Sequence, residues 1–289
     1  MMESKVTVVI PFYNPGAYIL EALDSVYAQT YKDWKIILID DGSTDDTVAK
    51  IKDYLEDPRI KLVRHSQNMG QSKSMNSGLN LVETPFLIQL DADDWFYPYT
   101  LEVLLKETKK VTNPDEIAVF SGNINLVYKT SVDSEATRNS KKFKFNPTTK
   151  KLEWLKPRVK SRVIKGRSFQ ERYEFLLANS SVWPRFYRTT ALQLIGGWPV
   201  DDPYEGRYAE DIRVLSRLIE HYRFHCVDKA LLNHRRHNKN QTNNIQVYRD
   251  IMEWIVWDSL KRWGDEYEPI FTTKAGWTSL TGLRPKSKD

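Results

Sequence analysis

The regular exchange of short β-branched runs with helical repeats over the first 122 residues constrains this chain more than any other feature. Strand-like runs fall at 6–11, 36–39, 61–63, 86–90 and 117–121. Between them apolar residues return at helical spacing: Ile19, Leu20, Leu23, Val26 and Tyr27; Val48, Ile51 and Leu55; residues 72–81; Leu101, Leu104 and Leu105. Thr44, Asp45 and Asp46 stand where caps of the second helix belong. A tight turn cannot deliver a parallel neighbour. Strand, helix, strand at this spacing therefore calls for crossover connections and predicts an α/β fold, a Rossmann-like, mostly parallel sheet flanked by helices.

Sheets of this kind bind ligands beyond the carboxyl ends of their strands, where this chain reads PFYN, DDGSTDD, HSQNMGQ and DADDW. Asp91, Asp93 and Asp94 follow a run that reads as buried. Clustered carboxylates repel unless a cation compensates, and hard ions such as Mg2+ or Mn2+ bind through one or two carboxylates plus phosphate oxygens. A solvated acidic turn is the plainer alternative, and these residues alone leave the two readings level. The turn after the second strand caps a helix and also puts Asp41 at the same edge, within reach of a base N–H. No G-x-G-x-x-G follows the first strand and no G-x-x-x-x-G-K-[ST] occurs, which disfavours the usual dinucleotide fold and a P-loop phosphotransferase.

Residues 129–167 break the pattern and read as a long polar surface excursion. Twelve Lys or Arg fall within 138–167 against one acid, Glu153, so with a net charge of +5 the remaining chain is acidic. That stretch reads as an ordinary solvated loop, as a surface drawn to anionic lipid headgroups or a lipid-linked acceptor, or as a polyanion site. Helical spacing resumes with Tyr173, Phe175 and Leu176, a strand with 182–187, a turn at Gly196 and Gly197, and an amphipathic helix with Ile212, Leu215, Leu218 and Ile219. A C-terminal helix is expected over 248–263. The single cysteine, Cys226, excludes an intrachain disulfide and a Cys-based zinc site and reads as an inert buried thiol. No apolar run approaches the roughly 20 residues of a membrane span, and the N-terminus lacks the pattern of an export signal. The expectation is a soluble, cytoplasmic chain, with 138–167 as its means of peripheral contact with the membrane inner face.

In order and spacing, VTVVIPFYN, DWKIILIDDGSTDDT, NMGQSKSMNSGL, LIQLDADDWFYP, LIGGWP, YAEDIRVLSRL and HRRHNKNQT resemble the family 2 glycosyltransferases, inverting enzymes of the GT-A fold. The resemblance runs over residues 5–242. It implies that Pro11, Tyr13, Asn14 and Asp41 hold the nucleotide base, uracil in the commonest case, and that Asn68 and Gly70 line the nucleotide pocket. It implies further that Asp91 reaches the ribose and Asp93 a Mn2+ or Mg2+ ion, with Asp94 and His237 as further metal contacts. Asp211 corresponds to the general base of the Glu-Asp motif, with Glu210 and Trp198 on the acceptor side. Many members carry Ala-Arg-Asn where this chain has Ser74-Met75-Asn76, so a phosphate contact falls to Lys73.

The implied division is a nucleotide-sugar half (1–122), an acceptor half (123–242) that includes the basic insertion, and a C-terminal helix and tail (243–289). The implied activity is transfer from a nucleotide-diphosphate sugar, UDP favoured, to the hydroxyl of a glycan or lipid-linked acceptor, in polysaccharide or cell-surface glycan synthesis, with no nucleic-acid partner. Each residue also has a plainer role: Asp211 favours a helix dipole, Trp198 packs in the core, His237 belongs to a basic loop. A sugar-1-phosphate nucleotidyltransferase would share the layout, but it needs a glycine-rich basic loop where PFYNPG stands. A non-catalytic nucleotide-sugar module would have no need of both Asp93 and Asp211.

Overall fold

The structure, a computed structural model, describes residues 4–128, 143–146, 151–154, 160–238, 240, 243–274 and 276–287. The first half runs β1 (Val6–Phe12), α1 (Tyr18–Tyr27), β2 (Trp34–Asp40), α2 (Thr47–Lys50), β3 (Ile60–Arg64), α3 (Gln71–Leu79), β4 (Phe86–Gln89), β5 (Trp95–Phe96) and α4 (Thr100–Glu107). It continues through β6 (Ile117–Tyr128), β7 (Phe143–Asn146), β8 (Lys151–Trp154), β9 (Lys160–Ile164), α5 (Arg172–Leu177), β10 (Trp183–Arg188) and α6 (Thr189–Leu194). The last elements are α7 (Glu210–Leu218), β11 (Arg223–Arg236), α8 (Ile245–Arg262), β12 (Tyr267–Lys274) and β13 (Trp277–Pro285).

One sheet carries the site, in the order β3-β2-β1-β4-β10-β6-β11-β5, with β9 paired to the far half of β6. The expected α/β sheet is present: β3, β2, β1 and β4 pair in parallel, as do β6 and β11. β10 lies antiparallel between β4 and β6, so the two expected halves share one sheet.

Every residue of β1 is buried, because both faces of the sheet are covered. Alternate residues serve opposite cores. Val8 and Ile10 meet the α1 side chains Ile19, Leu23 and Val26, while Val9 packs with Met75 and Leu79 of α3. A Cβ on Gly78 would lie 2.6 Å from Val9 Cγ1, so glycine lets α3 settle on the sheet. Beyond α3, the same core takes Val214, Leu215 and Leu218 of α7 and Val256 and Leu260 of α8.

Three features depart from the sequence reading. β6 extends to Tyr128 and carries β9 along its outer half. β5 follows the acidic turn at once and pairs with Leu232 and Asn233 of β11. The C-terminal tail forms an antiparallel hairpin, β12 and β13, tied down where the Asn179 amide exchanges two 2.7 Å hydrogen bonds with the backbone of Leu280.

Part of the basic stretch 138–167 lies outside the described residues; within them, Lys165 pairs with exposed Asp228 at 3.5 Å and Arg167 sits over the Phe169 ring. Cys226 is half-buried, and burial pushes its thiol up. Among the described residues no helix is long and apolar enough to cross a membrane.

Candidate functional site

The carboxyl ends of β1, β2, β3 and β4 bring together the four loops singled out in the sequence. β2 ends on Asp40, whose buried carboxylate accepts from the Ser43 N–H at 2.7 Å and Arg64 Nε at 2.9 Å. Asp41, also buried, accepts from the N–H groups of Met69 (2.8 Å) and Gly70 (2.9 Å) and lies 2.8 Å from His65 Nδ1. His65 is braced through Nε2 by Ser77 Oγ at 2.9 Å. Asp41 therefore moors the loop after β3, and His65, which the sequence reading passed over, is its partner. Gly42 is obligatory here: its φ is +77°, and a Cβ would lie 2.5 Å from the Gln67 carbonyl carbon.

The residues matched to base recognition divide. Pro11 is buried in β1 and Tyr13 stands 49% exposed at the rim. Asn14 is occupied by the protein itself, its Oδ1 accepting from the N–H groups of Thr44 (2.8 Å) and Asp45 (3.1 Å). Across the loop after β3, Asn68 Oδ1 accepts from Arg207 Nη1 at 2.8 Å, and Lys73 pairs with Glu205 at 2.8 Å. The segment before α7 thus closes on the loop holding Asn68 and Gly70, and the lysine expected at phosphate has a carboxylate partner.

In the turn after β4, Asp91 accepts from Gln89 Nε2 at 3.0 Å, Gln71 Nε2 at 3.3 Å and Arg185 Nη2 at 3.0 Å. Asp93 remains partly open, with its Oδ2 2.9 Å from His237 Nε2 and 3.4 Å from Asn240 Nδ2. Asp94 does not reach that opening. Its carboxylate, expected as a further metal contact, is 1% exposed and held by the Arg235 N–H at 2.8 Å and His234 Nδ1 at 2.9 Å, so it anchors the turn to β11. Burial pushes the Asp94 carboxyl up to about 6 despite the opposing pull of His234. Burial would lower His234, but the Asp94 carboxylate outweighs it and holds the imidazole above its usual value. Arg235 completes the clamp, donating Nε to the Asp93 carbonyl at 2.9 Å, lying over Tyr18 and Trp95, and pairing with Glu21.

No three His, Cys, Asp or Glu side chains converge as a metal cage among the described residues. Asp93 and His237 supply two candidate ligands. That pair suits a divalent ion whose remaining ligands are phosphate oxygens and water, the usual manner of Mg2+ at phosphate sites.

α7 begins at Glu210 after Ala209, which adopts a left-handed φ of 49°. Asp211 Oδ2 accepts from Arg185 Nη1 at 3.1 Å. Glu210 is buried, with Oε1 3.4 Å from Gln89 Nε2, instead of standing on an open acceptor surface. Burial first and the Asp211 charge second push its carboxyl up to about 8, so it is mainly uncharged at neutral pH. Trp198, expected on the acceptor side, is 1% exposed and packs edge-on against Tyr187 at 5.4 Å. Arg185, absent from the sequence reading, carries a signal there: it is the lone charge within the apolar run VWPRFY.

The family model described as "Glycosyl transferase family 2" matches residues 7–162. Over 107 residues the chain is 35% identical to glycosyltransferase GlyA of Streptococcus pneumoniae, covering 37% of this chain but 15% of that much longer protein. It is 25% identical over 297 aligned residues to the uncharacterized glycosyltransferase YibD of Escherichia coli, covering 90% of this chain and 79% of that one. Among solved structures, S. aureus TarS in complex with UDP-GlcNAc aligns with a TM-score of 0.63 at 19% identity, over 89% of this chain and 66% of that one. A mannosyltransferase, PcManGT from Pyrobaculum calidifontis, in complex with GDP-Man and Mn2+, aligns with a TM-score of 0.60 at 16% identity, over 90% of this chain and 65% of that one. The last two share the fold.

Proposed function

The chain belongs to glycosyl transferase family 2, and from that membership we propose that it transfers a sugar from a nucleotide-diphosphate donor, UDP favoured, to an acceptor hydroxyl with inversion, in the synthesis of a polysaccharide or cell-surface glycan. One observation carries this reading: buried Arg185 touches both Asp91, in the turn after β4, and Asp211, at the start of α7. The nucleotide sugars bound by TarS and PcManGT support the donor class, and the Mn2+ named with the latter supports the ion.

In this reading the loop moored by Asp41 receives the base and Asp91 the ribose. Asp211 takes the acceptor proton as the hydroxyl oxygen attacks the anomeric carbon from the side opposite the diphosphate. The new C–O bond forms as the bond to the phosphate oxygen breaks, and the diphosphate leaves with the electron pair. Asp93 and His237 would hold a divalent ion, which supplies positive charge to the departing diphosphate.

The test is a panel of UDP-, GDP- and dTDP-sugars, each with and without Mn2+, scored for hydrolysis and for thermal stabilisation. One nucleotide class is expected to stabilise the chain and to be turned over, with Asp211→Asn abolishing turnover but not binding. A panel without response, or undiminished turnover in Asp93→Asn and Asp211→Asn, overturns the proposal.

A further inference from the structure

Arg185 presents its side chain on the inner edge of β10, the strand inserted between β4 and β6, and its register partner is Gln89 of β4. It is 4% exposed. Nη2 donates to Asp91 Oδ2 at 3.0 Å and Nη1 to Asp211 Oδ2 at 3.1 Å. Gln89 runs alongside, donating from Nε2 to Asp91 and towards Glu210. Around the guanidinium stand the carboxyls of Asp91, Glu210 and Asp211 and the hydroxyl of Tyr187. The Tyr248 hydroxyl feels the same acids from α8.

Stability does not account for this arrangement. A buried ion pair seldom stabilises a fold better than well-packed apolar side chains of similar volume. Arg185 Nε and Gln89 Oε1 are moreover buried without a hydrogen-bond partner among the described residues, a cost a purely structural element gains nothing by bearing.

We propose that Arg185 is a positioning residue that couples the donor end of the site to its base: one immobile guanidinium fixes the carboxylate of Asp211 relative to that of Asp91. This rests on the reading of Asp211 as base and Asp91 as a donor contact. The fork shape matters, since a planar guanidinium sets two carboxylates at once where an ammonium offers a point charge. Donor contact at Asp91 and orientation of Asp211 then share a physical link, and the coupling is reciprocal.

The experiment measures kcat, donor KM, the pH profile of kcat and the melting temperature for Arg185→Lys, Arg185→Gln, Asp211→Asn and the double variant Arg185→Gln/Asp211→Asn, with the nucleotide sugar turned over in the donor panel. Arg185→Gln is expected to lower kcat about 100-fold, the scale of a misdirected base, and to move the acid limb of the profile to higher pH, because the acids lose the cation that bridges them. Arg185→Lys keeps the charge and the position of that limb but loses about tenfold in kcat through misplacement; it serves as the test if the Gln variant does not fold. In the double variant the Gln substitution costs little beyond Asp211→Asn alone. Wild-type kcat and pH profile in both Arg185 variants, with only the melting temperature lowered, overturns the coupling while leaving the base intact. Full turnover in Asp211→Asn overturns the base reading instead.

Discussion

His237 Nε2 lies 2.9 Å from Asp93 Oδ2, which joins the segment after β11 to the acidic turn after β4. If the pair holds a divalent ion, His237→Gln raises the Mn2+ concentration for half-maximal donor hydrolysis by about 10- to 100-fold. Asp93→Asn abolishes the Mn2+ response. Titration of Mn2+ against hydrolysis, with calorimetry of Mn2+ and UDP binding beside it, reads both. Unchanged titrations would mean that the pair joins the two segments without holding an ion.

Asp41 should matter before any ligand arrives. Its removal in Asp41→Ala leaves the Met69 and Gly70 N–H groups and His65 without their acceptor. The expected loss of stability is on the order of 3 kcal/mol. UDP binding should weaken by about tenfold, because the loop must then be ordered on binding. Denaturant melts and calorimetry check the two effects; wild-type values in both would refute the mooring role.

Glu210 gives a stability signature in pH. Its carboxyl is raised in the folded protein from 4.5 to about 8, chiefly by burial. The folded state then binds the proton more tightly than the unfolded state, so this group's contribution is complete below about 4.5 and is lost as pH rises through about 8. Glu210→Gln, a neutral isostere, removes that loss, and its stability relative to wild type should rise between about pH 5 and pH 9. Guanidinium melts at several pH values across that window test it, and parallel curves for the two proteins refute it.

Trp198 separates packing from sugar contact. Trp198→Ala is expected to cost about 3–5 kcal/mol as a cavity forms beside Tyr187. Trp198→Phe should fold with donor KM unchanged. A large rise in KM at unchanged melting temperature would return the residue to the sugar site.

The α/β class, the first four strands and the loops at their carboxyl ends were legible because they rest on local signals: period, caps and acids placed just after apolar runs. Asp94 could not be told from Asp93 by sequence, since identical neighbours differ in what a distant part of the chain puts against them, His234 and Arg235 of β11 for one and His237, just beyond β11, for the other. The burial of Glu210 and Trp198 was hidden for the same reason, as it is set by distant elements. β5 is too short to show a period, and the β12–β13 hairpin has mixed polarity. Arg185 was visible as a charge in an apolar strand, yet its meaning depends on pairing across the sheet.

The placement of β10 also bears on how the chain can be assembled. While residues 1–122 leave the ribosome, the edge of β4 that β10 will cover is open, and Phe86 lacks the Phe186 ring that later stacks on it at 4.9 Å. An unpaired strand edge invites wrong partners, and closing it waits on a contact far along the chain. Folding of residues 1–122 is thereby made to depend on synthesis of residues 183–188, and a nascent chain stalled short of them is exposed to aggregation at that seam.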